Sequence, residues 1–124
     1  MDPDGVSDIA ESLPEVTCSE PFVPGVEVFK VGGKVFAILQ PGGKDAIAQV
    51  TLKCDPVRAL ALRDQYRAIT PGYHMNKENW NTVILDGTVP DDEVAELIEH
   101  SYDEVIAGFS KIRRERLEML RADR

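Results

Sequence analysis

Residues 26–39 read VEVFKVGGKVFAIL and form the clearest hairpin pattern in the chain. Two runs rich in β-branched and aromatic residues, 26–31 and 34–39, flank the pair Gly32-Gly33. Because glycine adopts positive φ at little steric cost, this pair can form the primed turn that joins two antiparallel strands. The stretch therefore predicts a β-hairpin.

Further strands are expected after the hairpin. A Pro-Gly-Gly turn at residues 41–45 precedes residues 48–53, in which Val50 and Leu52 alternate onto one face. These residues extend the hairpin to a three-stranded meander, and residues 80–85 predict one more strand. The segment before the hairpin is expected to be a loop punctuated by prolines, and residues 69–77 match no regular pattern.

Four helices are expected. Asp2-Pro3 and Asp55-Pro56 each place a capping side chain before a proline, which is typical of helix starts. The first helix ends before Pro14, the second covers residues 57–66, a long one opens at residues 90–92, and a basic helical extension covers about 111–124. Their apolar positions are Val6, Ile9, Ala10 and Leu13; Leu60, Leu62 and Tyr66; Val94, Leu97, Ile98, Val105, Ile106 and Phe109; and Ile112, Leu117 and Leu120.

These patterns predict an α+β fold in which an antiparallel sheet, a meander plus a further strand, packs against helices. A chain of 124 residues is expected to form a single domain over residues 1–124. No apolar run approaches the ~20 residues that a membrane span requires, and the N-terminus lacks a signal-peptide pattern. We therefore expect a cytoplasmic protein without a membrane partner.

The cysteines give no sign of a metal or redox site. Cys18 and Cys54 form no CxxC motif and stand near no second pair of ligands. Two reduced thiols are the expectation for a cytoplasmic chain, and neither a metal nor a cofactor is predicted.

Charge is unevenly distributed. The chain has 14 Lys plus Arg against 22 Asp plus Glu, a net charge of -8, which disfavours a general polyanion binder. The charged residues in segments 1–29 and 86–110 are all Asp or Glu, whereas residues 30–85 carry eight bases against four acids. Solvated lysines at strand ends would explain the excess, and so would a local basic patch made of Lys30, Lys34, Lys44, Lys53, Arg58, Arg63, Arg67 and Lys77.

Residues 69–80 hold the most distinctive group of side chains: Tyr73, His74, Asn76, Lys77 and Trp80. Such side chains contact phosphates and stack on bases in nucleic-acid-binding proteins. The alternative is structural: both aromatic rings belong to the core and Asn76 satisfies a turn. We expect Trp80 to be largely buried where the fourth predicted strand meets the long helix, because Val83 and Leu85 on the same strand need the same kind of cover.

The sequence favours no enzymatic reaction. GxSxG, HExxH and GxxxxGK[ST] motifs are absent, and His74 and His100 are the two histidines. We expect His100 to be structural. The Gly-Gly-Lys triplets at residues 32–34 and 42–44 are better explained as hairpin turns than as phosphate-binding loops.

Six short motifs along the chain resemble the MmcQ/YjbR family, small bacterial α+β proteins with a double-wing architecture. These are Leu13-Pro14, residues 28–37, Leu52-Lys53, residues 71–77, Trp80 with Val83, and Ser101-Tyr102. The resemblance covers nearly the whole chain. It implies DNA binding without catalysis, with contacts from the hairpin lysines Lys30 and Lys34 and from Tyr73, His74, Asn76, Lys77 and Trp80.

Two functions follow as hypotheses. The first is weak, salt-dependent DNA binding through Lys30, Lys34, Lys53, Tyr73, His74, Asn76, Lys77 and Trp80. The second is a protein or small-molecule interaction module whose pocket has Tyr73 and Trp80 as walls and Lys53 or Lys77 to bind an anion. The arrangement of the bases in residues 30–85 distinguishes the two functions. Bases that converge on one face favour DNA binding, and bases that scatter around the sheet favour the interaction module. The sequence leaves the oligomeric state open.

Overall fold

The structure is a computed structural model that describes residues 1–72 and 75–123. Its helices are α1 (Pro3–Ser12), α2 (Pro56–Gln65), α3 (Asp91–Ile106) and α4 (Lys111–Ala122). Its strands are β1 (Val16–Ser19), β2 (Glu27–Val31), β3 (Lys34–Gln40), β4 (Gln49–Lys53), β5 (Ile69–Pro71) and β6 (Trp80–Ile84). Within the described residues they form one antiparallel sheet in the order β1-β2-β3-β4-β6-β5, which confirms the α+β fold.

The predicted hairpin is confirmed. β2 and β3 pair antiparallel, and the turn residues Gly32 and Gly33 have φ of 57° and 78°. The pairing shifts by one residue after Phe29, so Phe36 has no partner on β2. Such a bulge bends a strand locally. Phe36 is fully buried despite this, as part of the core.

Directly paired residues on neighbouring strands share a face of the sheet, which defines its two sides. On the inner face, Asn81 donates from Nδ2 to the Ala59 carbonyl of α2 at 3.2 Å, and the Phe36 ring meets Tyr102 of α3 edge-on, with centroids 5.6 Å apart. The inner face therefore packs against the helices. The outer face, turned away from them, carries the paired row Val28, Ile38, Thr51 and Thr82.

Helix α3 contacts the sheet through apolar side chains and through the buried Ser101 hydroxyl. Its expected apolar positions Val94, Leu97, Ile98, Val105 and Ile106 are buried.

Two predicted helix starts are also confirmed, because the Asp2 carboxylate accepts from the Gly5 amide at 2.8 Å and that of Asp55 from the Arg58 amide at 3.0 Å. The predicted pattern of helices thus holds in the structure.

Two strands were not predicted. β1 lies in the segment expected to be a loop and pairs with β2 along the hairpin edge. Three of its four residues are exposed, so it lacks the alternation that identifies a strand from sequence. β5 has only three residues, ends at Pro71, and pairs with β6. Both are edge strands, formed through backbone pairing with a stronger neighbour.

Three apolar positions were wrongly assigned to buried helix faces. Leu60 is 64% exposed, because α2 packs on the sheet through Ala59 and Leu62 instead. On α4, Ile112 and Leu120 are exposed and only Leu117 is buried. A short amphipathic helix needs few anchoring residues, so its apolar composition overstates its buried surface.

Two basic residues of α4 form ion pairs with acids elsewhere in the chain. Arg116 forms an ion pair with Glu15, while Arg121 pairs with Asp103 and, at 3.1 Å, with Glu99 on α3. Hydrogen bonding to Glu15 raises the pKa of Arg116. Part of the charge asymmetry along the sequence is therefore balanced inside the fold. None of the helices in the described residues is both long and apolar enough to cross a membrane.

Candidate functional site

Several of the predicted site residues meet at one end of the sheet. Lys34 opens β3, Lys53 closes β4 and Trp80 opens β6. Because β3 and β6 both run antiparallel to β4, the start of each lies beside the end of β4. Lys53 and Trp80 are direct cross-strand partners. Antiparallel topology thus gathers residues that are up to 46 positions apart in the sequence.

These residues line a cleft with a volume of about 410 Å³. Lys34, Val35, Lys53 and Trp80 form the side contributed by the sheet. The last turn of α3 and the residues that follow it close the other side through Val105, Gly108 and Phe109. We call this the lysine cleft. Its walls combine ammonium groups with aromatic rings, which can bind an anion and an apolar group together.

Trp80 is partly buried and lines this cleft, so the expectation of a largely buried core residue is met only in part. That expectation placed Trp80 with Val83, but residues three apart on a strand point to opposite faces. Val83 is buried on the inner face, whereas Trp80 lies on the outer face with its cross-strand partner Lys53. The alternation of β6 therefore places the tryptophan in the wall of the lysine cleft.

Phe109 and Arg113 belong to the same end of the sheet and were not predicted as site residues. The Arg113 guanidinium lies 4.4 Å from the centroid of the Phe109 ring, a cation–π contact. Gly32 of the hairpin approaches this pair so closely that a Cβ atom there would lie 2.8 Å from Phe109 Cζ. An aromatic residue directly after Gly108, shortly beyond the end of α3, was the available sequence clue.

The other predicted site residues are arranged differently. Lys30 lies on the outer face as the cross-strand partner of Val35, next to the lysine cleft. Lys77 lines a separate cleft of about 300 Å³ against α2. The Asn76 side chain accepts from the Glu78 amide at 2.9 Å, as expected for a turn residue. Tyr73 and His74 lie outside the described residues.

The bases of residues 30–85 do not share one surface. Arg58 on α2 forms an ion pair with Glu96 of α3, and hydrogen bonding to that carboxylate raises the pKa of Arg58. Arg63 donates from Nε to Asn81 Oδ1 at 2.8 Å and also bonds the Lys77 carbonyl. These two arginines support the packing of α2. Lys44 precedes β4 and Arg67 follows α2. Three of the eight bases, Lys30, Lys34 and Lys53, lie at the cleft end of the sheet.

His100 has the structural role that was expected. Its Nε2 accepts a hydrogen bond from the Asp55 amide at 3.2 Å, at the start of α2. This contact joins α3 to the N-terminus of α2. The imidazole is therefore part of the connection between two helices and lies outside the lysine cleft lining.

Cys18 stands in an acidic environment on β1. Its Sγ donates to Glu27 Oε2 at 3.2 Å, and a carboxylate oxygen of Glu11 lies within 4.8 Å of both groups. Desolvation, the hydrogen bond to Glu27 and the neighbouring carboxylate charges raise the pKa of Cys18 to about 12. The thiol is therefore protonated at neutral pH, which disfavours its use as a nucleophile or metal ligand.

This environment predicts how fast Cys18 reacts with iodoacetamide. Replacing Glu27 with Gln removes one negative charge beside the thiol, so the pKa of Cys18 falls and the thiolate fraction at pH 8 rises. We expect alkylation at least about threefold faster, since one pKa unit changes that fraction tenfold. Mass spectrometry of tryptic peptides measures the rate. Glu20→Gln, further from the hydrogen bond, is the control, and equal rates in both variants would contradict the assignment.

Gly72 fixes the position of Trp80. The Gly72 amide donates to the Trp80 carbonyl at 2.8 Å, and a Cβ at Gly72 would lie 2.8 Å from Trp80 Cβ and 3.1 Å from its carbonyl carbon. The backbone cannot move aside cheaply at such distances.

We therefore expect Gly72→Ala to lower the free energy of unfolding by about 1–3 kcal/mol and to shift the fluorescence of the single tryptophan. Urea unfolding followed by tryptophan fluorescence and by circular dichroism measures both effects. Gly43→Ala is the matched control, because a Cβ there meets no atom within 4 Å. Equal stability and spectra in the two variants would contradict the prediction.

Several known proteins are similar to this chain in sequence or fold. The uncharacterised protein YbdF of Escherichia coli O157:H7 is 35% identical over 103 residues, 83% of each chain. The uncharacterised protein YyaQ of Bacillus subtilis is 42% identical over 60 residues, 48% of this chain and 50% of that one. The crystal structure of the DUF419-domain protein DR2400 from Deinococcus radiodurans has a TM-score of 0.84 and 36% identity. It covers 94% of this chain and 88% of that one.

A protein from Pseudomonas syringae has the same fold, with a TM-score of 0.73 and 29% identity over 84% of this chain and 98% of that one. The family model YjbR matches residues 11–104. That range includes β1 to β6, α2 and most of α3, and therefore the sheet part of the lysine cleft. The chain belongs to the YjbR family.

Proposed function

We propose that this protein is a non-enzymatic, cytoplasmic binding domain that recognises an anionic ligand in the lysine cleft. The observation that carries the proposal is the convergence of Lys34, Lys53 and Trp80 on one cleft of about 410 Å³. Neither lysine forms an ion pair with any described residue, so both ammonium groups are available to a ligand. A cleft of this volume is typical of small-molecule sites.

A small anion fits these features better than a long polyanion. A nucleic-acid interface needs many cations on one surface to neutralise successive phosphates. Here Arg58 and Arg63 serve internal contacts, Lys77 lies at another cleft, and Lys44 and Arg67 line neither cleft. Lys30, Lys34 and Lys53 are the three bases at the lysine cleft end of the sheet. The net charge of -8 also opposes the approach of an extended polyanion.

DNA binding is the second candidate function, and one observation favours it. Lys30 lies beside the lysine cleft, and Arg113 approaches the hairpin turn from α4, so four cations surround the hairpin. Trp80 and Phe109 could stack on unpaired bases. Binding through three to five phosphate contacts would be weak and would fall roughly tenfold to a thousandfold between 50 and 200 mM salt.

A titration with anilinonaphthalene sulfonate, duplex DNA and single-stranded DNA tests the proposal, with Trp80 fluorescence as readout. We expect the aromatic sulfonate to bind wild type and the double variant Lys34→Ala/Lys53→Ala to bind it at least about tenfold more weakly, as loss of charged contacts predicts. Circular dichroism checks that the variant is folded.

The matched control is Lys44→Ala/Lys77→Ala, which removes two lysines outside the cleft and should bind the sulfonate like wild type. Equal affinity in both double variants would overturn the proposal. Tight, salt-sensitive DNA binding that is lost in the cleft variant would instead establish the second candidate function.

A further inference from the structure

We infer that the ligand is a single-chain anionic amphiphile, whose headgroup binds among the three lysines while its aliphatic chain lies along the outer face of the sheet. This inference rests on the proposed function and adds the chemical class of the ligand. It stands on a second cleft that shares the lining residue Val35 with the first.

The second cleft has a volume of about 380 Å³ and lies over the outer face. Its floor includes Val28, Ile38 and Thr51. Phe22 and Val23, from the loop before β2, line it as well, and their side chains are 74% and 57% exposed. We call this the apolar cleft. Its exposed apolar surface is what an aliphatic occupant would remove from water.

The polar groups along the apolar cleft are already paired with one another. Thr51 Oγ1 lies 3.0 Å from Thr82 Oγ1, and Gln49 Nε2 donates to Gln40 Oε1 at 2.5 Å. These side chains therefore need no hydrogen bond from an occupant of the cleft. The lining favours a chain of methylene groups over a peptide, whose backbone amides would lose their hydrogen bonds with water on entry.

The two clefts meet at Val35, which lines both. Three lysines surround this junction: Lys34 precedes Val35 in the chain, Lys30 is its cross-strand partner, and Lys53 lines the lysine cleft with it. Lys30 and Lys53 thus place positive charge on the outer face beside the apolar groove, and Lys34, the cross-strand partner of the buried Val31, adds charge from the inner face at the same end of the sheet. A molecule with an anionic head and one aliphatic chain matches that arrangement.

Isothermal titration calorimetry with octanoate, decanoate, dodecanoate and dodecyl phosphate, each below its critical micelle concentration, tests the inference. We expect affinity to rise with chain length by up to about fourfold per methylene, the value that corresponds to about 0.8 kcal/mol per buried CH₂. The uncharged 1-decanol should bind at least about tenfold more weakly than decanoate. Dodecyl phosphate against dodecanoate distinguishes a phosphate from a carboxylate head.

Two variants test whether the aliphatic chain of the ligand lies in the apolar cleft. Ile38→Gln and Phe22→Ala should each weaken dodecanoate binding at least about fivefold while octanoate changes less. Phe22 is so exposed that its truncation should leave folding intact. Ile47→Gln, an exposed isoleucine outside the cleft, is the control for Ile38→Gln.

The outcomes separate the inference from the proposed function. Equal affinity across the chain-length series, with binding still sensitive to Lys34→Ala/Lys53→Ala, would overturn the inference alone. Insensitivity to the lysine variant would overturn the proposed function. If the protein elutes as a dimer in size-exclusion chromatography and Ile38→Gln converts it to a monomer, a second copy covers the apolar cleft and the inference fails.

Discussion

Replacing Tyr102 with Ala should lower the free energy of unfolding by about 4 kcal/mol. Tyr102 is fully buried on α3, and its ring packs edge-on against Phe36 with centroids 5.6 Å apart. Its hydroxyl donates to the Pro14 carbonyl at 2.8 Å, which ties α3 to the segment after α1. The substitution removes the ring and this hydrogen bond together, and leaves a cavity between helix and sheet.

Urea denaturation followed by circular dichroism measures the loss. Tyr102→Phe separates the hydroxyl from the ring and should cost about 0.5–1.5 kcal/mol, the net value of one hydrogen bond. Phe22→Ala is the aromatic control and should stay within about 0.5 kcal/mol of wild type, since Phe22 is exposed. A Tyr102→Ala variant as stable as the Phe22→Ala variant would contradict the packing described for α3.

The hairpin and the helices could be predicted because their determinants are local. Gly32-Gly33 determines the turn through its own φ angles, and Asp2 and Asp55 cap the helices that begin directly after them. β1 and β5 could not be predicted in this way. Both take their conformation from pairing with β2 and β6, so the information lies in the partner strand and not in their own residues.

The candidate site was predicted only in part, because its geometry also depends on contacts between residues that are distant in the sequence. Lys34, Lys53 and Trp80 were chosen from the sequence, and the antiparallel topology brings them together. The face of Trp80 was assigned wrongly, because the grouping with Val83 neglected the two-residue period of a strand. Phe109 was assigned to the buried side of the long helix, but the helix ends at Ile106 and leaves this ring to line the cleft.

The second large loss of stability is expected when Ser101 is replaced, because its hydroxyl joins α3 to two strands. Ser101 Oγ donates to the Phe36 carbonyl at 2.5 Å and accepts from the Lys53 amide at 2.9 Å, and the residue is fully buried. The pairing of β3 with β4 ends at Ala37 and Leu52, and the Ser101 hydroxyl bridges the next residue of each strand, Phe36 and Lys53.

Ser101→Ala leaves a buried carbonyl and a buried amide without this partner, each at a cost of about 1–3 kcal/mol, so we expect a loss of about 3 kcal/mol in the free energy of unfolding. Hydrogen exchange followed by NMR should also show faster exchange of the Lys53 amide than of the Val50 amide in the centre of β4. Ser19→Ala, at an exposed position of β1, is the control and should change stability by less than about 0.5 kcal/mol. An unchanged exchange rate at Lys53 in a folded Ser101→Ala variant would show that the hydroxyl does not hold β4 to α3, and that the end of β4 that carries Lys53 into the cleft is positioned by apolar packing alone.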